Sequence, residues 1–548
     1  DRIADSNDAP NPEIQITDIL TSSDDYIAVC LPSDLGAGLY AVFVKNAGGT
    51  SSAAWVNRAH AYQVLDLAGT QIDSGRSFRI DGRNLDLSGA TSTVRFRKVS
   101  DGTYTNASVT DANDPYILQV TAPNLVAGQE YDLYISNGYG GSYGEVIGPR
   151  LTARAVGTDH WSLDVPWGAE YTFHNNVYNV KTDARMTNHA VGDGETDDSA
   201  ALQEAINRAN ADGGGVVYLP AGDYYLNGAQ LIMKSNVVIE GAGMNSSTIY
   251  DDAGAGPMVT GAYTLVDRIG FVDVTLESLP DGPDNLCKFW ACDYIFGLRS
   301  RFIQNNDHNI VWKYCNYCLI KESELYQLPE TGKYILLTEG SAGMLIIDNY
   351  IEWHDGRVHT GDTDMLQIEG NEFMRTVDTD GSGSPYEYGG LILDGCCQTA
   401  VLDNYFGKIG SGKIPQSNDG ETILNQRIAK LAVGDVSSAS STTLVDSSKN
   451  WSTNSLTAGD VFIISGPGMG QRRGVSSNTS NTITVDAAWD VTPTSASRYT
   501  VVEFDHECLI KDNLLEDCPR GIWCYSSSIY NLAIVDNTMV DSEAIYFR

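Results

Sequence analysis

Asp394 stands in "LILDGCCQ" (Leu391 to Gln398), with Ile392, Leu393, Cys396 and Cys397 around it. A carboxyl among apolar residues is costly unless it is hydrogen-bonded or used. Such a setting also lets an acid keep its proton near neutral pH, as a general acid must. The competing reading is a turn Asp before Gly395. Three further stretches carry groups of the same kind. "IEWHDGRVHTGDTD" (Ile351 to Asp364) supplies Trp353, His354, Asp355, Arg357, His359, Asp362 and Asp364, "SNDGETILNQ" (Ser417 to Gln426) supplies Asp419, Glu421 and Asn425, and "NIVWKYC" supplies Trp312 and Lys313. Carboxylates transfer protons or bond hydroxyls, and aromatic faces stack on sugar rings, so together these residues suit a saccharide site. Each also has a plainer reading. Asp419 sits in an Asn-Asp-Gly turn, Asp362 and Asp364 suit calcium or a solvated turn, the histidines suit a surface loop, and the tryptophans could simply pack.

Something must bring these stretches together. An aliphatic residue followed three places later by Asn recurs at Ile346/Asn349, Ile368/Asn371, Val401/Asn404, Ile510/Asn513 and Ile534/Asn537, with Ile320/Ser323 as a polar variant. From position 323 the steps are 26, 22, 33, 109 and 24 residues. All but the 109-residue step suit one coil of a solenoid. Asn amides stacked at one turn would bond along the axis, so the ladder is structural. It also sets a register. Ten residues before Ser323, Asn349, Asn371, Asn404 and Asn537 lie Lys313, Glu339, Gly361, Asp394 and Ser527, predicted to form one column, with Asp362 beside it and Asp364 three places on. Coils stack at about 4.8 Å, which puts Glu339 and Asp394 about 10 Å apart. Paired carboxylates sit roughly 5 Å apart in retaining glycosidases and about 6.5–9.5 Å apart in inverting ones, so the column offers pairs for either.

Upstream, "VGDGETDDSAALQEAINRANADGGGVVYLPAGDYYL" (Val191 to Leu226) reads as a capping helix and the first strands. Ala201, Leu202, Ala205, Ile206 and Ala209 share one helical face. Thr196, Asp197 and Asp198 lie at its start, where side-chain oxygens take up free backbone N–H groups, and Gly213 to Gly215 stop it. This segment resembles the one that opens the solenoid in the pectate-lyase-like right-handed parallel β-helix superfamily, whose members act on carbohydrates. The resemblance covers roughly residues 180 to 548, less an insertion, and implies a β-helix over 156–548. It carries over no catalytic residue, because no family-specific catalytic motif matches; the Asp-Pro-His-Glu tetrad of alginate epimerases in this superfamily is missing. The opening aspartates are expected to cap, not to catalyse.

Residues 428–504, with their own alternating strands and the turn "SGPGMGQRRG", explain the long step as a small all-β module looped out of one coil. "GPGMGQ" is no phosphate loop, since no GK[ST] follows. Before the solenoid, "LGAGLYAVFVKNAGG" and "LVAGQEYDLYISNGYGG" repeat one pattern about 90 residues apart. They resemble IPT/TIG-type immunoglobulin-like modules, a partial one over 1–57 and a fuller sandwich over 58–155. The predicted class is therefore all-β.

The chain has 548 residues, a formal net charge of −36 and a pI near 4.4, which argues against nucleic acid and anionic membrane surfaces. No apolar run is long enough to span a membrane. The ten cysteines fit no disulfide scaffold, and Cys315/Cys318 has no second CxxC, so zinc is not expected and free buried thiols are. The chain opens on polar "DRIADSNDAP" with no signal peptide, consistent with a mature secreted or cell-surface form. Three functions compete. A glycoside hydrolase is favoured, with Asp394 as acid and Asp362, Glu339, Asp419 or Glu421 as partner. Its substrate contacts would be Trp312, Lys313, Trp353, His354, Arg357, His359, Asp364 and Asn425. A lyase or epimerase on uronates comes second, because so acidic a chain repels a polyuronate unless calcium or a basic strip intervenes; Lys313, Lys333 and Arg357 are the basic residues near the column. A non-catalytic carbohydrate-binding protein is third. No cofactor is required, and Ca²⁺ is admitted as an option. The partner is a polysaccharide or oligosaccharide, and the protein itself a monomer or small homo-oligomer.

Overall fold

The computed structural model describes residues 2–3, 16, 19–22, 27–31, 35–46, 49–50, 54–65, 70–254, 256–261, 265–327, 334–354, 356–375, 389–409, 420–426, 430–503, 505–525, 529–543 and 545–547. From Val177 onward the chain coils as a right-handed parallel β-helix of three long sheets, with eleven, eleven and ten strands among the described residues. The back sheet runs through Ala342–Ile347, Asp364–Glu369 and Cys397–Leu402, and the side sheet through Tyr350–Trp353 and Glu372–Arg375. The groove sheet runs through His308–Lys313, Tyr334–Glu339, Val358–Gly361, Leu391–Asp394 and Ile423–Gln426. Inward residues of all three sheets form one apolar column, including Ile310, Leu336, Val358, Leu391 and Ile423.

The ladder is as expected. Asn349 donates its N–H and Nδ2 to Asn371 Oδ1 at 3.0 and 2.9 Å, and the pattern repeats from Asn371 to Asn404, Asn404 to Asn513 and Asn513 to Asn537. Each Nδ2 also donates backwards, as from Asn371 to the Ile346 carbonyl at 2.8 Å, so the amide satisfies turn groups on both sides. The rungs begin earlier than predicted, since Ser300 N–H donates to Ser323 Oγ at 3.1 Å.

Helix Ser199–Ala211 closes the open end, with the five predicted apolar residues buried. Asp197 Oδ1 accepts the Ser199 N–H at 3.0 Å, a capping bond. Asp198 corrects the expectation. Its buried carboxylate turns away from the helix and accepts the Val191 and Gly192 N–H groups at 2.7 and 2.9 Å, tying down the preceding loop, while its carbonyl takes up Ala201 and Leu202 N–H. Gly214, at φ +136°, ends the helix where a Cβ would strike Phe173.

Residues 60–154 form a four-stranded and a five-stranded sheet around Phe78, Ile80, Phe96, Leu118 and Leu133. Of residues 1–57, short strands such as Leu39–Val42, paired with Ala54–Val56, are described; much of that expected module lies outside the described residues. The insertion is a seven-stranded antiparallel sheet with its own core at Leu444, Val461, Ile483 and Val501. Its first and last strands lie side by side, Lys430 opposite Val502, and the solenoid resumes in register, Cys397–Leu402 pairing with Asp505–Lys511. Eight cysteines are buried as free thiols; Cys30 and Cys397 are less so.

Candidate functional site

Two elements cover the back sheet. Trp161, Trp167 and Tyr171 pack on Val238, Phe296 and Leu319, and farther along the sandwich seats Tyr62 against Ala400, Leu402 and Leu509. Ion pairs hold the sandwich there. Arg79 grips Glu369 with two bonds of 2.9 and 2.7 Å, Lys511 meets Asp114 at 3.0 Å, and His60 meets Glu507 at 3.3 Å. The side sheet points tyrosine–glutamate pairs outward, such as Tyr350 hydroxyl to Glu352 at 2.7 Å. The groove sheet carries the varied chemistry.

Its predicted column is real. Trp290, Lys313, Glu339, Gly361, Asp394, Gln426 and Tyr525 are successive register partners. The expectation of Ser527 is replaced by Tyr525, because the last coil is two residues longer between column and rung; Ser527 itself lies outside the described residues. Lys313 is ion-paired to Glu339. Asp394 Oδ2 lies 3.7 Å from His359 Nε2. The apolar setting expected for Asp394 is not what the fold supplies. Leu391 and Leu393 face the core, while the Asp394 side chain, 29% exposed, sits outside.

Beside this column is a cluster that joins the predicted Arg357 and His359 to two residues the sequence reading missed, Tyr334 and His308. Arg357 Nη2 donates to the Tyr334 hydroxyl at 2.8 Å, and the guanidinium also lies over the Tyr334 ring, 4.7 Å from its centroid. The Tyr334 ring is 5.7 Å from His359 on one side and 5.1 Å from His308 on the other, and Asp307 holds His308 Nδ1 at 2.8 Å. Tyr334 and His308 share a register position five residues before the column, where the two-residue alternation is broken, so simple periodicity does not reveal them. At the head of the column Trp290 and Tyr314 are exposed with ring centroids 5.2 Å apart, an aromatic platform. Its signal was available, since Trp290 lies ten residues before the unrecognised rung Ser300.

Three expected sugar contacts, Trp312, Trp353 and Asn425, are turned inward. Trp312 and Trp353, at 1% and 0% exposure, point into the solenoid and cannot stack on a sugar. Asn425 also faces inward. Trp312 and Asn425 adjoin outward Lys313 and Gln426, so strand alternation turns them inside. Glu421 is buried and ion-paired with Arg520 at 3.2 Å. His354 follows the side-sheet strand, at the opposite end of the groove strand from Asp362. Asp419, Asp355 and Lys333 lie outside the described residues.

Asp362 and Asp364 line a different feature. Beyond Gly361 and Asp394 the chain turns into the back sheet, Asp362 taking φ +45° there, and its N–H donates to the Asp394 carbonyl at 2.8 Å. A cleft of about 610 Å³ opens at this turn, between Asp362, Asp364, Gly395 and His506 on the solenoid and residues 457–460, Arg472, residues 474–476, Asp486 and Glu503 opposite. Dehydration in this cleft raises the pKa of the Asp364 carboxyl, with the nearby His506 opposing. Among the described residues, no three His, Cys, Asp or Glu side chains converge as metal ligands, and no helix is long and apolar enough to cross a membrane.

Residues 184–352 match the family model described as rhamnogalacturonase A/epimerase, pectate lyase-like. A stretch of 131 residues is 41% identical to mannuronan C5-epimerase AlgE5 of Azotobacter vinelandii, covering 22% of this chain and 13% of that protein. Alginate lyase 7 of the same organism is 36% identical over 131 residues, 22% of this chain and 15% of that one. The chain thus spans under a fifth of the length of either relative. Among solved structures, the A-module of mannuronan C-5 epimerase AlgE6 from that organism aligns with 67% of this chain and 99% of its own, at 14% identity and a TM-score of 0.29. The coils, their Asn rungs and the capping helix make the solenoid of this chain a right-handed parallel β-helix, and its residues 184–352 are similar to the pectate lyase-like family.

Proposed function

We propose that this protein is a polysaccharide-active enzyme that works on a uronate-bearing polymer by moving the proton at C5, next to the sugar carboxylate. The observation that carries the reading is the Arg357–Tyr334 contact of 2.8 Å, with His359 and His308 on either side of the Tyr334 ring. Removing a proton beside a carboxylate drives charge onto that carboxylate, so a cation must meet it as the bond breaks. Arg357 suits that role, with a planar fork that matches a carboxylate. Tyr334 and His359 are the groups that take and return the proton, and Asp394 orients His359 from 3.7 Å. Trp290 and Tyr314 offer ring faces to sugars farther along the groove. Return of the proton to the opposite face inverts C5; loss of the 4-linked sugar instead cleaves the chain with an unsaturated end. The names of the epimerase and lyase relatives agree with this chemistry.

Glycoside hydrolysis, which the sequence favoured, keeps one specific support. Asp362 and Asp394 leave adjacent coils joined by a 2.8 Å backbone bond, which brings two carboxyl-bearing residues to one turn. Glu339 supports it less, being held by Lys313. We read the 60–154 sandwich as an immunoglobulin-like positioning module, and its ion-paired seat on the back sheet supports that role.

The test is incubation in D₂O with a panel of neutral and uronate polysaccharides, followed by NMR, ultraviolet absorbance and a reducing-end assay. Deuterium at C5 or absorbance from unsaturated ends supports the reading. New reducing ends without either transfers the assignment to a glycosidase. No change in any polymer rejects an enzyme.

A further inference from the structure

We propose that the inserted module over 430–502 is the roof of the saccharide groove, and that the cleft beneath it binds a neutral, hydroxyl-rich sugar residue next to the uronate being processed. The inference rests on the uronate reading for the residue at Tyr334, but the cleft is argued from its own geometry.

The cleft is continuous with the column. Gly395 follows Asp394, Asp362 follows Gly361, and both line it. A polymer lying along the groove and passing the ends of these strands meets the module next. A volume of about 610 Å³ falls within the range of small-molecule sites. The opposite wall has little bulk. Thr457, Ala458 and Ser476 are exposed there, and two of the lining residues, Gly459 and Gly474, have no side chain.

Charge decides what the cleft takes. Its two basic groups are already engaged. Arg472 donates to Asp460 Oδ2 at 2.8 and 2.6 Å and lies over the Tyr530 ring at 4.8 Å, while His506 meets Glu507 at 3.5 Å. Asp364 and Asp486 are acceptors in their ionised form, which suits sugar hydroxyls and repels a carboxylate. Beside Tyr334 the groove presents the Arg357 guanidinium, while Lys313 there is paired with Glu339. One polymer that fits both carries a neutral residue beside an acidic one. A site for uronate alone would show the same basic character along its length.

Ala458→Trp tests this on the full chain, because a large ring at that exposed position fills the cleft without touching the Tyr334 cluster. Affinity electrophoresis through gels containing single neutral or acidic polysaccharides reads binding without turnover. At least one polymer should retard the unmodified chain, and Ala458→Trp should weaken that retardation at least tenfold with an unchanged melting curve. The weakening should be equal at low and high salt, since hydroxyl contacts are not screened. Equal retardation of the variant overturns the proposal, as does a salt-dependent loss, which means a charged residue sits in the cleft. Retardation without turnover by the unmodified chain rejects the enzyme reading and leaves the cleft tested on binding alone. No retardation by any polymer overturns the cleft whatever the turnover assay reads. If Ala458→Trp melts early, Ser476→Trp on the same wall gives the same readout, and unchanged retardation there overturns the proposal.

Discussion

The Arg357 guanidinium both caps the Tyr334 ring and donates to its hydroxyl, reaching it from the next coil at 2.8 Å. Two coils must therefore stack in register before this pair exists. The solenoid pitch, not a flexible loop, holds the phenol where a substrate proton would be met.

Tyr334→Phe removes only the hydroxyl from a half-buried outward ring. The melting curve should stay put while kcat falls roughly 10²–10⁴-fold, the usual loss for one proton-transfer group. Asp394→Asn should cost less, since it acts through His359, and should displace the pH dependence of kcat/KM. A folded Tyr334→Phe protein with half the normal rate removes Tyr334 from the chemistry.

Trp290→Ala takes away half of the exposed aromatic pair with Tyr314. KM for a long polymer should rise severalfold to about tenfold, from a stacking loss of roughly 1 kcal/mol, with kcat little changed. Steady-state kinetics on polymer and on a short oligosaccharide separate this from a global effect.

Asn371→Ala breaks the ladder in its middle. Asn349 N–H, Asn349 Nδ2 and the Ile346 carbonyl lose their partner inside a closed turn. Each stranded buried group costs about 1–3 kcal/mol, so urea unfolding should show a large loss of stability. An unchanged midpoint would mean water replaces the rung.

Glu507 links the sandwich to the solenoid through His60, with His506 beside it. Burial pushes its carboxyl up, but hydrogen bonds from His506 and His60 and their charges outweigh that and leave its pKa lowered to about 2. A carboxylate whose folded pKa is depressed stabilises the fold above its unfolded pKa and loses that contribution as pH falls through the folded value. Melting temperature should therefore decline between about pH 4.5 and 2, more steeply than in Glu507→Gln. Parallel curves for the two proteins would remove this pair from the acid response.

Replacing 430–502 with a short Gly/Ser linker should leave a folded solenoid, because Lys430 and Val502 are strand neighbours and the flanking coils pair across the gap. Circular dichroism and a cooperative melt check it; an insoluble product shows that the module props the coils.

The column was legible before the fold because one repeated element, an aliphatic residue and then Asn, marks the same turn in each coil. Counting back from it reached Lys313, Glu339, Gly361 and Asp394 correctly. What failed was facing. Trp312 and Asn425 were read by type, although each is the neighbour of an outward residue and alternation sends it inside. Tyr334 and His308 escaped because four consecutive buried residues separate each from the column, which breaks the two-residue alternation that the sequence reading relies on. The role given to Asp198 failed for a similar reason. Its position at the helix start was visible, but the loop that folds back to meet its carboxylate was not.

The Asn rungs and the docked sandwich together have a mechanical consequence. A rung gripped from both sides passes tension to the next, so a pull on the final strand should strip coils one at a time, like a ratchet releasing teeth. The peeling meets a brake at the coil of Lys511, which Asp114 of the sandwich holds. Behind it Glu369 is held by Arg79. The stretch from Tyr334 to Asp394 lies on the protected side of that brake, sheltered from any strain that enters through the last coils.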